Sequence, residues 1–115
     1  MRSPRTPLHD IPRMARLAHG RPVVLQEAGY SSAPRLGSSP AAQASFVRNV
    51  FAAVDREAGA IPFLSFYTLF DLPAADCHAH SSAVTFLCSL GLYYRDGRPK
   101  PAWAAFRTGV ADAGG

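Results

Sequence analysis

A chain of 115 residues is the size of one ordinary domain, and 48% apolar with 17% charged side chains it is globular material rather than a disordered tail. Its net charge of +4 comes largely from scattered arginines, Arg2, Arg5, Arg13, Arg16 and Arg21 near the start and Arg95, Arg98 and Arg107 with Lys100 near the end. No basic run is interleaved with aromatics, so nucleic acid is not an expected partner. Nor is a membrane: no apolar stretch reaches the ~18 residues a span needs, and the opening Met-Arg-Ser-Pro-Arg-Thr-Pro lacks a signal-peptide core, leaving the compartment unknown.

Residues 1–9 read as a loose lead-in. Asp10 is placed to cap a helix with Pro12 in its first turn, and Ile11, Met14, Leu17 and Ala18 share one side until Gly20 stops it. A strand follows from about Pro22 to Glu27, with Val23, Val24 and Leu25 forming a run expected to be buried on both faces. Residues 28–39 form a long polar connection. Ser39-Pro40 opens a helix whose Phe46, Val47, Val50, Phe51 and Val54 make a stripe broad enough to cover a sheet. Gln43, Arg48, Asn49, Asp55 and Arg56 fall on its wet side, and Gly59 ends it.

Ile61 to Phe70 is almost wholly apolar or aromatic and predicts a second doubly buried strand, ending in Asp71. Residues 71–85 read as another long loop. Phe86 to Leu90 is a short apolar segment compatible with more than one conformation, and Asp96-Gly97 is a turn. Pro99 and Pro101 introduce a last helix from Ala102 to about Ala111. Helices alternating with strands imply parallel strands, yet two such strands do not make a stable sheet by themselves and leave open edges. The chain has the look of one sector of a larger barrel.

A carboxylate at the C-terminal tip of a buried strand has to face a polar cleft, because an apolar layer would not tolerate its charge. Glu27 sits at such a tip; the alternative is a solvated Glu27, or one paired with Arg21 or Arg35. Four stretches then bear together. Residues 23–32 read Val-Val-Leu-Gln-Glu-Ala-Gly-Tyr-Ser-Ser; Gly-Ser-Ser-Pro with Gln43-Ala-Ser-Phe-Val-Arg follows. Next come Ile-Pro-Phe-Leu-Ser-Phe-Tyr-Thr-Leu-Phe-Asp and a closing Gly-Leu-Tyr-Tyr-Arg-Asp-Gly-Arg-Pro-Lys-Pro-Ala-Trp. In this order they resemble the end of a clan A glycoside hydrolase, a retaining (β/α)8 barrel, over roughly residues 10–110.

The resemblance implies an α/β chain equivalent to the last two β/α units of a TIM barrel, with residues 1–115 as the C-terminal fragment of one barrel domain. It implies that Glu27 is the nucleophile of a retaining glycoside hydrolase acting on β-linked poly- or oligosaccharide, needing no cofactor and no metal. Retention requires a second carboxyl group about 5 Å away as acid/base. In the clan that group follows an Asn on an earlier strand, and no Asn-Glu pair exists in this sequence. The only other glutamate, Glu57, falls at the end of the covering helix. The chain by itself is therefore expected to be inactive, with a missing N-terminal barrel portion or self-association through its sheet edges as partner. The alternatives are a non-catalytic fragment and an oligomeric carbohydrate-binding or assembly module.

Phe66, Tyr67 and Phe70 are candidates to stack on a sugar ring, although alternation along a strand sends at least one into the core. Clan members often carry Trp in this region, near Thr68 here, so this part of the match is a departure. Tyr30 would line the sugar site or serve as a loop anchor; Asp71 would bind a sugar hydroxyl or cap the segment that follows. Cys77, His78, His80 and Cys88 lack the paired spacing of zinc ligands, and a Cys77–Cys88 disulfide stays open.

Overall fold

The computed structural model describes residues 2–57 and 59–113. Helix α1, Pro7–Leu17, starts before Asp10, at the proline whose fixed φ suits a first turn. The residues placed in a loose lead-in thus include the start of a helix. Asp10 lies inside it rather than capping it, and pairs with Arg2 at 3.0 Å. Pro12 is inside the helix too, and Ile11 (4% exposed) anchors it to the core.

Strand β1, Val24–Ala28, and strand β2, Phe63–Phe66, form a two-stranded parallel sheet. Val24 lies opposite Phe63 and Leu25 opposite Leu64, but Ala28 lies opposite Phe66. One extra residue is therefore accommodated in β1 around Gln26 and Glu27, a bulge that re-aims the side chains there. Both Gln26 and Glu27 are exposed in consequence.

Helix α2, Pro40–Arg56, connects the strands, with the Ser39 hydroxyl accepting from the Ala42 N–H as its cap. It runs back from the C-terminal end of β1 to the start of β2, the crossover that parallel strands require. Its apolar stripe does cover the sheet: Val50 and Ala53 join Ile11 and Ile61 in one cluster, with Leu25, Leu64 and Phe66 packed against it. On the flank, Ala44 and Val47 meet Leu92, in the segment before the last helix, and Ala102 and Ala105 of that helix, α4, Pro101–Ala113. Gly109 lets α4 come this close, since a Cβ there would fall 2.2 Å from the Phe51 ring. Gln43 is a correction to the periodicity: it is 1% exposed, and its Nε2 donates to the carbonyls of Gly91 (3.0 Å) and Leu90 (3.3 Å).

Two further expectations fail for identifiable reasons. The second strand stops at Phe66 instead of Phe70. The Tyr67 N–H still bonds the Ala28 carbonyl (2.9 Å), but the Thr68 and Leu69 carbonyls accept from Leu92 (3.1 Å) and Tyr93 (2.8 Å). The rest of that apolar run has left β1 for the segment preceding α4. Nor is the sheet buried on both faces. Leu25, Leu64 and Phe66 face the helices, whereas Val24 (52% exposed) and Phe63 (53%) lie on a face that no described element covers. The segment from 82 onward is helical: α3, Ser82–Cys88, is capped by Ser81, whose hydroxyl accepts from the Val84 N–H. Among the described residues no helix is long and apolar enough to cross a membrane.

Candidate functional site

Glu27 reaches its position through the bulge in β1 and the glycine two residues on. A Cβ on Gly29 would lie 2.8 Å from the Tyr67 carbonyl oxygen, so only glycine allows the chain to turn past the end of β2 at this distance. Glu27 lines a cleft of about 330 Å³ together with Gly29, Tyr30 and Phe86. It forms no ion pair and no side-chain hydrogen bond among the described residues. The pairing with Arg35 is excluded, because that guanidinium donates to the His80 carbonyl (2.6 Å). Arg21 likewise forms no salt bridge with it. What remains is an unpaired carboxylate at the wet rim of a largely apolar cleft.

Tyr30 shares the cleft but forms no hydrogen bond with Glu27. Its ring stacks on Phe46 with centroids 5.0 Å apart, and its hydroxyl donates to the Arg2 carbonyl. Burial pushes its phenol above the usual 10.0. This is the anchor arrangement: the ring ties the segment before α1 to the loop after β1.

The three aromatics of the second strand separate. Phe66 packs against Phe51 and Phe106, both 5.7 Å between centroids, on the helix side of the sheet. Its ring belongs to the core. Tyr67 (41% exposed) and Phe70 (48%) remain open, Phe70 with one side on Tyr93 at 5.4 Å. Asp71 is engaged too. Its Oδ1 accepts from the Gly91 N–H (2.8 Å) and from Lys100 Nζ (2.7 Å).

Lys100 is the residue that sequence reasoning passed over. Its side chain is fully buried, and Nζ donates to Asp71 Oδ1, Ser32 Oγ (3.0 Å) and the Ser89 carbonyl (3.4 Å), matching three donors to three acceptors. Burial lowers the Lys100 ammonium below its ordinary range, opposed by the hydrogen bond and charge of Asp71. Ser31 Oγ meets Ser89 Oγ at 2.6 Å and accepts from the Ala33 N–H (3.0 Å), so the loop after Tyr30 is held from both sides. The signal was present in the closing Lys-Pro-Ala, but its partners lie 29 and 68 residues away.

Among the described residues, the site holds one free carboxylate, Glu27, and no second carboxyl group suited to pair with it as proton donor. Asp10, the other acid lining the cleft, is held below the usual carboxylate range by a hydrogen bond with His9, against the effect of burial and with help from the Arg2 charge. It stays ionised at neutral pH and cannot protonate a leaving group. Glu57 is the C-cap of α2, at the end of the helix that feeds β2, so it lies at the opposite end of the sheet. Cys77 and Cys88 form a disulfide, leaving neither thiolate free for a metal.

The sequence matches no protein-family profile and no curated protein. Solved structures do match. The GH5_18 protein of Streptomyces cattleya in complex with GlcNAc is 26% identical with a TM-score of 0.70, covering 96% of this chain and 26% of that one. For the GH5_18 protein of Bifidobacterium longum subsp. infantis the identity is 21% and the TM-score 0.72, over 94% of this chain and 25% of the other. A Glu-to-Ala variant of the Bifidobacterium longum subsp. longum protein, in complex with Manβ1-4GlcNAc, gives 22% and 0.69, over 97% and 25%. The chain thus spans about a quarter of the length of the structures it matches. It is a small α/β unit with two parallel strands, similar to a portion of the GH5_18 glycoside hydrolases.

Proposed function

We propose that this chain carries the nucleophile side of a retaining glycosidase site for β-linked oligosaccharide, with Glu27 as the attacking group. One observation supports the reading above the others: an unpaired carboxylate at a bulge on the C-terminal tip of a parallel strand, lining a cleft beside Tyr30. In barrels of this kind that end of the strands is where chemistry is done. Glu27 attacks the anomeric carbon and the glycosidic oxygen leaves with a proton; water then cleaves the glycosyl ester. Both proton transfers need a second carboxyl about 5 Å from the first. Neither Asp10 nor Glu57 is suited to that role, so the chain alone is inactive and the acid/base comes from elsewhere.

Two of the matched structures hold Manβ1-4GlcNAc, which supports this substrate class. A covalent chimaera is the direct test. The matching quarter of the Streptomyces cattleya protein is replaced by residues 2–113, and sugar release from Manβ1-4GlcNAc is followed. Activity is expected, and Glu27→Gln in the chimaera is expected to remove it by on the order of 10⁴-fold. A chimaera that works equally well with Gln at this position would end the nucleophile assignment. The second reading, a non-catalytic carbohydrate-binding role, is favoured by the open rings of Tyr67 and Phe70. It is supported instead if the chimaera binds the disaccharide with these rings but never cleaves it.

A further inference from the structure

Lys100 Nζ pins both ends of one excursion of the chain, donating to Asp71 Oδ1 (2.7 Å) and to the Ser89 carbonyl (3.4 Å). Between those ends the chain has almost no core. Of residues 72–88 only Cys88 is buried, and helix α3 exposes Ser82, Ala83, Phe86 and Leu87. A helix of 7 residues is marginal in water without tertiary packing on one face. Here the Cys77–Cys88 disulfide takes the place of that packing, closing residues 11 apart in sequence into a loop. One further tie is polar and exposed: Arg35 Nη2 donates to the His80 carbonyl (2.6 Å). From this loop Phe86, 37% exposed, lines the cleft that Glu27 also lines.

We infer that residues 77–88 are a disulfide-closed flap that positions Phe86 as one wall of the Glu27 cleft, and that the oxidation state of Cys77 and Cys88 sets the shape of that wall. The flap bounds the cleft and leaves its volume to a ligand. That the ligand is a sugar rests on the glycosidase reading; the flap itself does not. Its effector is a dithiol reductant. One thiolate of the dithiol attacks Sγ of the half-buried Cys77, forming a mixed disulfide and releasing Cys88, which takes up a proton. The second thiol then closes on the first, so the dithiol leaves as its cyclic disulfide and Cys77 takes up the other proton. Two electrons have passed to the flap. An intact bridge limits the open conformations of the loop, and no buried apolar side chain of residues 72–87 replaces it once it is cut. The ends at Asp71 and Ser89 stay fixed by Lys100, so the release is confined to the flap.

The test uses the full chain with 4-fluorophenylalanine at position 86, oxidised and after treatment with dithiothreitol, and reads structure rather than catalysis. On reduction the amides of residues 85–88 are expected to exchange about tenfold faster or more. The fluorine resonance should move toward that of the free amino acid, with a larger shift between H2O and D2O as the ring leaves the cleft wall. The Ser32 amide, which donates to the Ser89 carbonyl (3.0 Å), and the amides of Val47 to Ala53 in α2 should keep their protection. Cys77→Ser with Cys88→Ser should reproduce the reduced state and no longer respond to dithiothreitol. An unchanged fluorine signal, unchanged exchange at residues 85–88, or a parallel loss at Ser32 and α2 would overturn the inference, the last because the bridge would then staple the whole fold. A flap that responds as expected beside an inactive chimaera upholds this inference and counts against the glycosidase alone; an unresponsive flap beside an active chimaera does the reverse.

Discussion

At the level of single residues the cleft is maintained by groups that do no chemistry. Tyr30 is 8% exposed and bonds the Arg2 carbonyl, holding the N-terminal segment against the loop that leaves Glu27. Removing the hydroxyl in Tyr30→Phe forfeits one hydrogen bond, about 1 kcal/mol at pH 7. The pH dependence has a definite sign. Burial raises the phenol above 10.0 in the folded state, so above that pH the unfolded chain gives up a proton that the folded chain keeps. The stabilisation is complete below pH 10.0 and is lost as pH rises through the folded value. Urea unfolding at pH 7 and pH 10.5 should therefore show a smaller alkaline loss for Tyr30→Phe than for the parent chain. Parallel losses in both would mean that some other group controls the alkaline limb. Lys100, whose depressed range gives the opposite slope, is common to both proteins and cancels in the comparison.

Among the elements, the ends of the strands are set by one buried cation. Lys100 begins the turn into α4, yet its ammonium joins the end of the β2 segment at Asp71 to the loop after β1 at Ser32. Lys100→Met would leave Asp71, 10% exposed, with only the Gly91 N–H, and should destabilise the fold by roughly 3–5 kcal/mol. Lys100→Met combined with Asp71→Asn should recover much of that loss, since neither charge then remains buried. A urea midpoint for the double variant no better than for the single would contradict this account. The same knot explains what was legible in the sequence. The helix over 40–56, the β1 tip at Glu27 and the last helix follow local patterns, apolar spacing with Ser, Pro and Gly punctuation, and local patterns are readable. The end of β2 at Phe66, the burial of Gln43 and the engagement of Asp71 depend on partners 20 to 48 residues distant, and no local pattern encodes them. Of the candidate site, the position of Glu27 was legible, while the commitment of Phe66 to the core became visible only once Phe51 and Phe106 were placed beside it.

For the molecule as a whole the decisive feature is an apolar sheet with two edges and one face unsatisfied. Native sheets protect edges with charge, bulges or a covering element. The bulge at Gln26–Glu27 interrupts only the C-terminal half of β1, and the opposite half presents Val24 beside Phe63 with no covering element described. Free strand edges next to exposed apolar side chains template pairing with other chains, so the isolated protein should self-associate as its concentration rises. Lysine is the residue that edges use against this, and at half-exposed positions its stem can lie along the sheet while the ammonium stays in water. Val24→Lys with Phe63→Lys should accordingly lower the weight-average mass in sedimentation equilibrium. Each change should alter the unfolding free energy by no more than about 0.5 kcal/mol, the usual range for surface positions outside special contacts. The two quantities separate the causes. Association driven by the open face falls while stability holds, whereas association driven by partial unfolding would rise with any loss of stability. A double-lysine variant that stays folded and still associates as strongly as the parent would place the sticky surface elsewhere, and the exposed Leu69 and Phe70 beyond β2 would be the next side chains to charge.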